Sequence, residues 1–267
     1  MSLPTLLGFL AGILLLVGSV ALTANNIWTF LSGSSMLIVA GGTIAAAFIS
    51  YEARYVMLAF RQVGLLVLSP RAGRDDLPDV TARIIEWGLV VKKGGIVALE
   101  NQIKSVKDPD PFLVYGVDLL VAGYRPDELR SMLDNVVDTT FERQMVPVGV
   151  LKMMGNAAPA FGMVGTLIGL IVMLESMGGD ASAMGMGLAV ALVTTLYGVL
   201  LSRLALLPAA SKAQQRFEIE RFKNSLMAEG FHLLAEERSP AFIADRMNGY
   251  LSPTIRVQRK AAQAGQA

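Results

Sequence analysis

The sequence has 267 residues, of which 53% are hydrophobic and only 17% are charged, below the roughly 25% of an average soluble domain. It contains no cysteine, which excludes a disulfide framework and a thiolate metal site. The formal net charge of +1 conceals an uneven distribution, because long uncharged stretches alternate with charged ones.

The uncharged stretches predict membrane-spanning helices. Residues 1–51 contain no Asp, Glu, Lys or Arg, and the same holds for two stretches of 22 residues at 153–174 and 181–202. About 20 apolar helical residues cross a bilayer core of ~30 Å, so the first stretch is long enough for two spans and each of the others for one. We predict two hairpins of spans, over residues 3–22, 28–50, 150–177 and 185–207.

The positions of Lys and Arg predict the orientation of these spans. All 23 lie between the two hairpins, after the fourth span, or at the inner ends of the third and fourth spans, at Lys152 and Arg203. Cytoplasmic loops are enriched in these residues, so we expect both termini and the charged middle region in the cytoplasm. A cleaved signal peptide is the alternative for the first stretch, but a basic n-region is missing and a second apolar stretch follows at once.

The charged segments have a helical pattern of apolar residues. It predicts that the second span extends inward over residues 54–68, and that a helix from Pro78 is interrupted at Gly94-Gly95. Further helices are predicted over 96–106, 112–122, 126–141, 211–237 and 241–251. The predicted fold is an all-α membrane protein with hairpins at 1–50 and 150–207, a helical domain at 51–149 and a C-terminal helix and tail at 208–267.

The third and fourth predicted spans carry the candidate functional residues. Small residues recur every four positions in both, a pattern that lets helices approach closely. Pro159 removes one backbone hydrogen bond inside the third span, which makes it either a passive kink or a hinge. Thr166, Thr194 and Thr195 are the main polar side chains deep in these spans. Their oxygens can coordinate a hard cation, or their hydroxyls can bond back to carbonyls of their own helices.

Ionisable residues are missing from the middle of every predicted span, and Glu175 sits near the outer end of the third. Ion-translocating proteins usually carry such a group. If this chain conducts ions, the carboxylate must come from a partner helix that faces Thr166 and Thr195. A membrane scaffold without ion flux is the alternative. We do not expect an enzyme, since the sequence has no Gly-rich phosphate loop, nucleophile elbow or His/carboxylate cluster.

Three stretches carry a family resemblance. The third span contains AAPAFGMVGTLIGL at residues 157–170, and the fourth contains AVALVTTLYG at 189–198 and is followed by Pro208. The charged domain contains KKGGIVALE at 92–100. In this order and topology the stretches resemble the flagellar stator A subunits, the MotA/PomA family, and most of all its sodium-driven PomA type. Helix count and hairpin spacing agree over essentially the whole chain.

The resemblance implies a function in the bacterial inner membrane. Five A subunits would form a ring around two B subunits, each with one membrane helix whose aspartate takes up the ion. Ion flow would turn the A ring and drive a rotor switch-complex ring, in motility and chemotaxis. The chain would contact lipid and these proteins, with no nucleic acid and no cofactor beyond the transported sodium ion or proton.

The resemblance also implies roles for individual residues. It assigns Lys92, Lys93 and Glu100 to contact with the rotor. The family commonly has Arg at the position of Lys92, and lysine cannot form the bidentate hydrogen bonds of a guanidinium group. Torque generation falls to Pro159 and Pro208. The ion path, with a possible sodium site, falls to Pro159, Thr166, Thr194 and Thr195. A proton-driven stator and a TolQ/ExbB-type energy-coupling subunit are the alternatives, although the latter typically has three membrane helices.

Overall fold

A computed structural model of the chain describes residues 3–23, 30–68, 76–104, 110–178 and 181–255. Every regular element within these ranges is helical, which confirms the predicted fold class at this level. In chain order the helices are α1 (Leu3–Thr23), α2 (Gly33–Ser50), α3 (Ala53–Leu68), α4 (Asp76–Lys104), α5 (Pro111–Val121), α6 (Pro126–Glu175), α7 (Ala181–Ala235) and α8 (Pro240–Asn248).

The chain divides into two compact units. The apolar unit comprises residues 1–71 and 144–215, and the charged unit comprises residues 72–143 and 216–267. The charged unit thus draws on both segments that the sequence assigns to the cytoplasm. Helices α6 and α7 each contribute residues to both units.

Three of the described helices, α2, α6 and α7, are long and apolar enough to cross a membrane. They overlap the second, third and fourth predicted spans. Helix α1, Leu3–Thr23, has 21 residues without a charged side chain and overlaps the first predicted span. The four-span topology remains a prediction.

Helix α2 differs from its prediction at both ends. Ser32 is extended and caps the helix, because its Oγ accepts hydrogen bonds from the Ser35 amide at 3.3 Å and the Ser35 hydroxyl at 2.8 Å. The predicted helix over 28–50 is thus wrong at residues 31 and 32, and Trp28 lies outside the described residues. At the other end Tyr51 is extended (φ −136°, ψ 152°), so α3 is a separate helix and not the predicted inward extension of the second span.

The two long helices are more continuous than predicted. Helix α6 runs through Pro147 and Pro159 and joins two segments that were predicted separately. Helix α7 likewise continues past Pro208 and joins the predicted span over 185–207 to the helix predicted over 211–237. A wide π turn at Leu201–Leu206 precedes this proline. The Leu204 carbonyl, which would clash with the proline ring in a regular helix, belongs to that wider turn.

The charged unit has its own hydrophobic core, built from α4, α5, α8, the first part of α6 and the last part of α7. Trp87 of α4 and Phe231 of α7 stack with ring centroids 5.9 Å apart. The Phe231 ring lies directly on Gly116 of α5, where a side chain would collide with it. The aromatic pair therefore joins three helices of this unit.

Candidate functional site

The apolar parts of α6 and α7 pack in direct backbone contact. A Cβ atom added at Gly169 would lie 2.6 Å from the Ala191 nitrogen, and one at Gly187 would lie 2.7 Å from the Met173 nitrogen. The approach is nearly as close at Gly162, whose added Cβ would lie 3.1 Å from a backbone oxygen of α7. Small residues therefore hold these helices at a distance that no larger side chain allows, as the spacing of the sequence predicts.

Thr194 is enclosed in this contact. Its side chain is buried and lies against Gly165, where an added Cβ would come within 2.5 Å of it. Its Oγ1 lies 2.9 Å from the carbonyl oxygens of both Val190 and Ala191. One hydroxyl hydrogen is thus shared between two carbonyls of its own helix, and the side chain fills the notch at Gly165.

Thr195 and Thr166 are more accessible than Thr194. Both are partly exposed in this chain. The Thr166 hydroxyl donates to the Met163 carbonyl, and Thr195 Oγ1 lies 3.5 Å from the Ala191 carbonyl oxygen. A hydroxyl that donates its hydrogen keeps its oxygen lone pairs, so both oxygens can still accept a cation. The two residues belong to one region of the contact, since Gly162 packs on the Thr195 backbone and Thr166 follows one turn later.

The predicted torque prolines lie at different places on the same helix pair. Pro159 is at the backbone contact, because a Cβ added at Gly198 of α7 would lie 2.7 Å from the Ala158 carbonyl oxygen and 3.1 Å from the Pro159 Cα. As a proline has no N–H, the Gly155 carbonyl loses its helical donor. Pro208 is exposed and follows the wide turn of α7.

Tyr197 is a functional candidate that the sequence analysis overlooked. Its hydroxyl donates to the Phe30 carbonyl oxygen at 2.6 Å and accepts from the Ser32 amide at 3.2 Å. The side chain therefore joins α7 to the segment that precedes α2. The sequence could have indicated this role, because the hydroxyl of a tyrosine in an apolar span needs a hydrogen-bond partner.

The predicted rotor-contact residues lie in the charged unit, on α4. Lys92 and Lys93 are exposed, and Glu100 is partly exposed. The predicted interruption at Gly94-Gly95 is confirmed, because Gly95 has φ 72° and ψ −179° inside the helix. A positive φ of this kind favours glycine, so the break is fixed by the sequence.

A buried charge cluster in the same unit was not predicted. Glu229 of α7 is buried and accepts hydrogen bonds from Arg130 of α6 and, at 2.9 Å, from Arg246 of α8. Arg130 also bonds to Asp134 at 2.7 Å. Burial alone would raise the pKa of the Glu229 carboxyl, but the hydrogen bond from Arg246 and the charge of Arg130 hold that pKa below its usual range. The cluster joins three helices around one carboxylate.

Together the fold and the helix contact define a multi-pass helical membrane protein whose last two apolar helices pack backbone to backbone and carry hydroxyl groups. The model of the MotA/TolQ/ExbB proton channel family matches residues 104–249, more than half of the chain, and the chain belongs to this family.

Individual relatives match over nearly the whole length. The chain is 33% identical to "Chemotaxis protein PomA" of Vibrio alginolyticus over 252 residues, which cover 94% of this chain and 96% of the relative. It is 32% identical to "Motility protein A" of Aquifex aeolicus, with 90% and 92% covered. Among solved structures, the flagellar MotAB stator complex from Bacillus subtilis matches with a TM-score of 0.82 and 25% identity, over 96% of this chain and 97% of that one.

Proposed function

We propose that the chain is the A subunit of a flagellar motor stator, and that it forms an ion channel with a B-type partner. Two relatives that match over at least nine-tenths of the chain are named for motility or chemotaxis, and the similar Bacillus subtilis structure is a stator complex. The observation that carries the proposal is the α6–α7 contact, in which Thr166 and Thr195 offer accessible oxygens within the uncharged stretches 153–174 and 181–202 of the two helices.

The proposed channel needs a carboxylate from the partner. Residues 153–174 and 181–202 carry no charge, so this chain offers a moving cation only hydroxyl and carbonyl oxygens there. A B-type membrane helix with an aspartate facing Thr166 and Thr195 supplies the missing charge. One ion that crosses 100 mV gains about 2.3 kcal/mol, which is enough to bias neighbouring positions of a packed interface.

We propose sodium as the transported ion. Hydroxyl and carbonyl oxygens are the ligands that hard cations prefer. The structure supports such a role for Thr166 and Thr195 more than for Thr194, which is buried and bonded to two carbonyls. Proton transport through the same partner aspartate is the alternative.

The proposed assembly is a ring of five A subunits around two B subunits in a bacterial inner membrane, with both termini in the cytoplasm. Lys92, Lys93 and Glu100 contact the rotor ring, and Pro159 and Pro208 bend with the torque cycle. The exposed side chains of Lys92 and Lys93 support this assignment, since they are available to a partner.

A TolQ/ExbB-type energy-coupling subunit is the second candidate, because the matching family model includes those proteins. The two functions predict different phenotypes when the gene is deleted. Loss of swimming with an intact outer membrane supports the stator, whereas leakage of periplasmic proteins with normal swimming supports the energy-coupling subunit.

The ion is tested by swimming speed in cells that carry this chain and its B partner, with sodium replaced by potassium at constant ionic strength and pH. We expect swimming to stop without sodium. If the speed is unchanged without sodium but a protonophore abolishes swimming, the stator is proton-driven and the threonines have only a packing role.

A further inference from the structure

The segment that leads into α2 is held by a side chain from α7. Leu31 and Ser32 are not helical, and α2 begins only at Gly33. The Phe30 carbonyl and the Ser32 amide both bond to the Tyr197 hydroxyl, at 2.6 Å and 3.2 Å. One hydroxyl therefore satisfies two backbone groups that a continuous helix would have satisfied itself.

These two hydrogen bonds matter more in a membrane than they would in water. Tyr197 lies near the middle of the span predicted over residues 185–207, and Phe30 and Ser32 lie in the outer part of the span predicted over residues 28–50. Non-helical backbone at membrane depth persists only where other protein groups or water satisfy it. Replacing the Tyr197 hydroxyl would leave a carbonyl and an amide without these partners, so the link resists any rotation of α7 that breaks it.

The link also fixes the direction of the threonines on α7. Residues in an α-helix follow one another at about 100° around the axis, so Thr194 and Gly198, which contact α6, lie about 40° apart. Thr195 and Tyr197 lie about 160° apart on the same scale, one on each side of the face that contacts α6. A rotation of α7 that releases Tyr197 therefore moves Thr195 by the same angle.

We propose that Tyr197 is a positioning residue for the ion path, which sets the rotation of α7 and thereby the place of the Thr195 hydroxyl. The inference rests on the proposed function for its ion-path part. Tyr197 does not itself contact the ion and acts through Thr195.

The first test measures single-motor torque per stator unit against the concentration of the driving ion, in cells with this chain and its B partner. Tyr197→Phe removes only the hydroxyl. We expect the half-saturating ion concentration to rise about threefold to tenfold, the size expected for the loss of one or two neutral hydrogen bonds, with the number of units at the motor unchanged. Fewer units with an unchanged half-saturating concentration would show a purely structural role and overturn the proposal.

Two further variants sharpen this test. Ser32→Ala removes the cap hydroxyl of α2 but keeps both hydrogen bonds of Tyr197, so the ion dependence should stay at its wild-type value. In a Thr195→Ala background the effect of Tyr197→Phe should largely disappear, because the two residues act in one path. Full additivity of the two effects would contradict action through Thr195.

A second measurement does not depend on motility. The chain has no cysteine, so Thr195→Cys gives a single thiol whose reaction with a methanethiosulfonate can be followed in the purified complex with the B partner. We expect Tyr197→Phe to change the labelling rate at least threefold, and equal rates would overturn the proposal. If the wild-type chain drove swimming in neither ion, the proposed function would fail, and the labelling rates would still decide whether Tyr197 sets the rotation of α7.

Discussion

The backbone contact at Gly169 predicts how the α6–α7 pair responds to one methyl group. In Gly169→Ala the new Cβ would lie 2.6 Å from both the Ala191 nitrogen and the Gly187 carbonyl oxygen. Ordinary contact begins at 3.4 Å, so the helices must separate by roughly 0.8 Å, the difference between 3.4 Å and 2.6 Å. Both obstacles are backbone atoms that no side-chain rotation can move. We expect a loss of about 1–3 kcal/mol of stability, as in other overpacked contacts.

Gly185→Ala is the matched control, because it lies in the same helix α7 and nothing stands within 4 Å of its added Cβ. Alanine is the better helix former by about 1 kcal/mol, so this variant should be as stable as the wild type or more so. Thermal unfolding of the purified complex with the B partner, followed by circular dichroism, measures both. We expect a lower Tm and slower swimming for Gly169→Ala only. Equal Tm values for the two variants would refute the close contact.

Three further predictions concern other parts of the molecule. Glu229→Gln should flatten the acid dependence of the free energy of unfolding. In the folded wild type, Arg246 and Arg130 lower the pKa of Glu229 against the effect of burial. The ionised carboxylate therefore stabilises the fold, and this stability is lost as the pH falls from the ordinary glutamate pKa of about 4.3 through the lower pKa of the folded state. Urea unfolding across this range measures it, and parallel curves would contradict it. Lys93→Glu should reduce swimming, because it reverses a charge at the proposed rotor contact, and should leave the Tm unchanged, because the side chain is exposed; unchanged swimming or a lower Tm would contradict it. Thr166→Ala should raise the half-saturating sodium concentration, whereas Thr194→Ala should mainly lower the Tm, because Thr194 is buried; the reverse pattern would contradict both assignments.

Much of the fold was predictable because its signals are local. A run of 22 uncharged residues indicates a membrane helix by itself, and the small residues around Gly162 and Gly169 indicate where two such helices meet. The interruption at Gly95 was also predictable, since a glycine pair inside a helical pattern indicates a change of backbone direction.

The remaining features depend on partners far away in the sequence. The start of α2 depends on Tyr197, which lies 165 residues after Ser32. The burial of Glu229 depends on Arg130, 99 residues earlier, and nothing in the sequence of its own helix indicates this pairing. No periodicity in one segment can reveal such pairs.

The two adjacent threonines show a limit of a different kind. Thr194 and Thr195 have the same chemistry and neighbouring positions, but they point about 100° apart around α7. One is enclosed against Gly165 and the other remains partly exposed. The sequence predicts that hydroxyls are present at this depth, whereas only the direction of α6 decides which of them faces away from the contact.

The glycine contact between α6 and α7 restricts how the protein can change over evolutionary time. At Gly169 and Gly187 every substitution adds atoms, and a neighbour can make room only by becoming smaller. For Gly169→Ala the nearest side-chain atom is the Ala191 Cβ, 2.8 Å from the added atom, and the backbone obstacles at 2.6 Å would remain if that side chain were removed. Second-site reversion by Ala191→Gly can therefore be only partial, and these positions should accept new residues only if the helix pair as a whole moves apart.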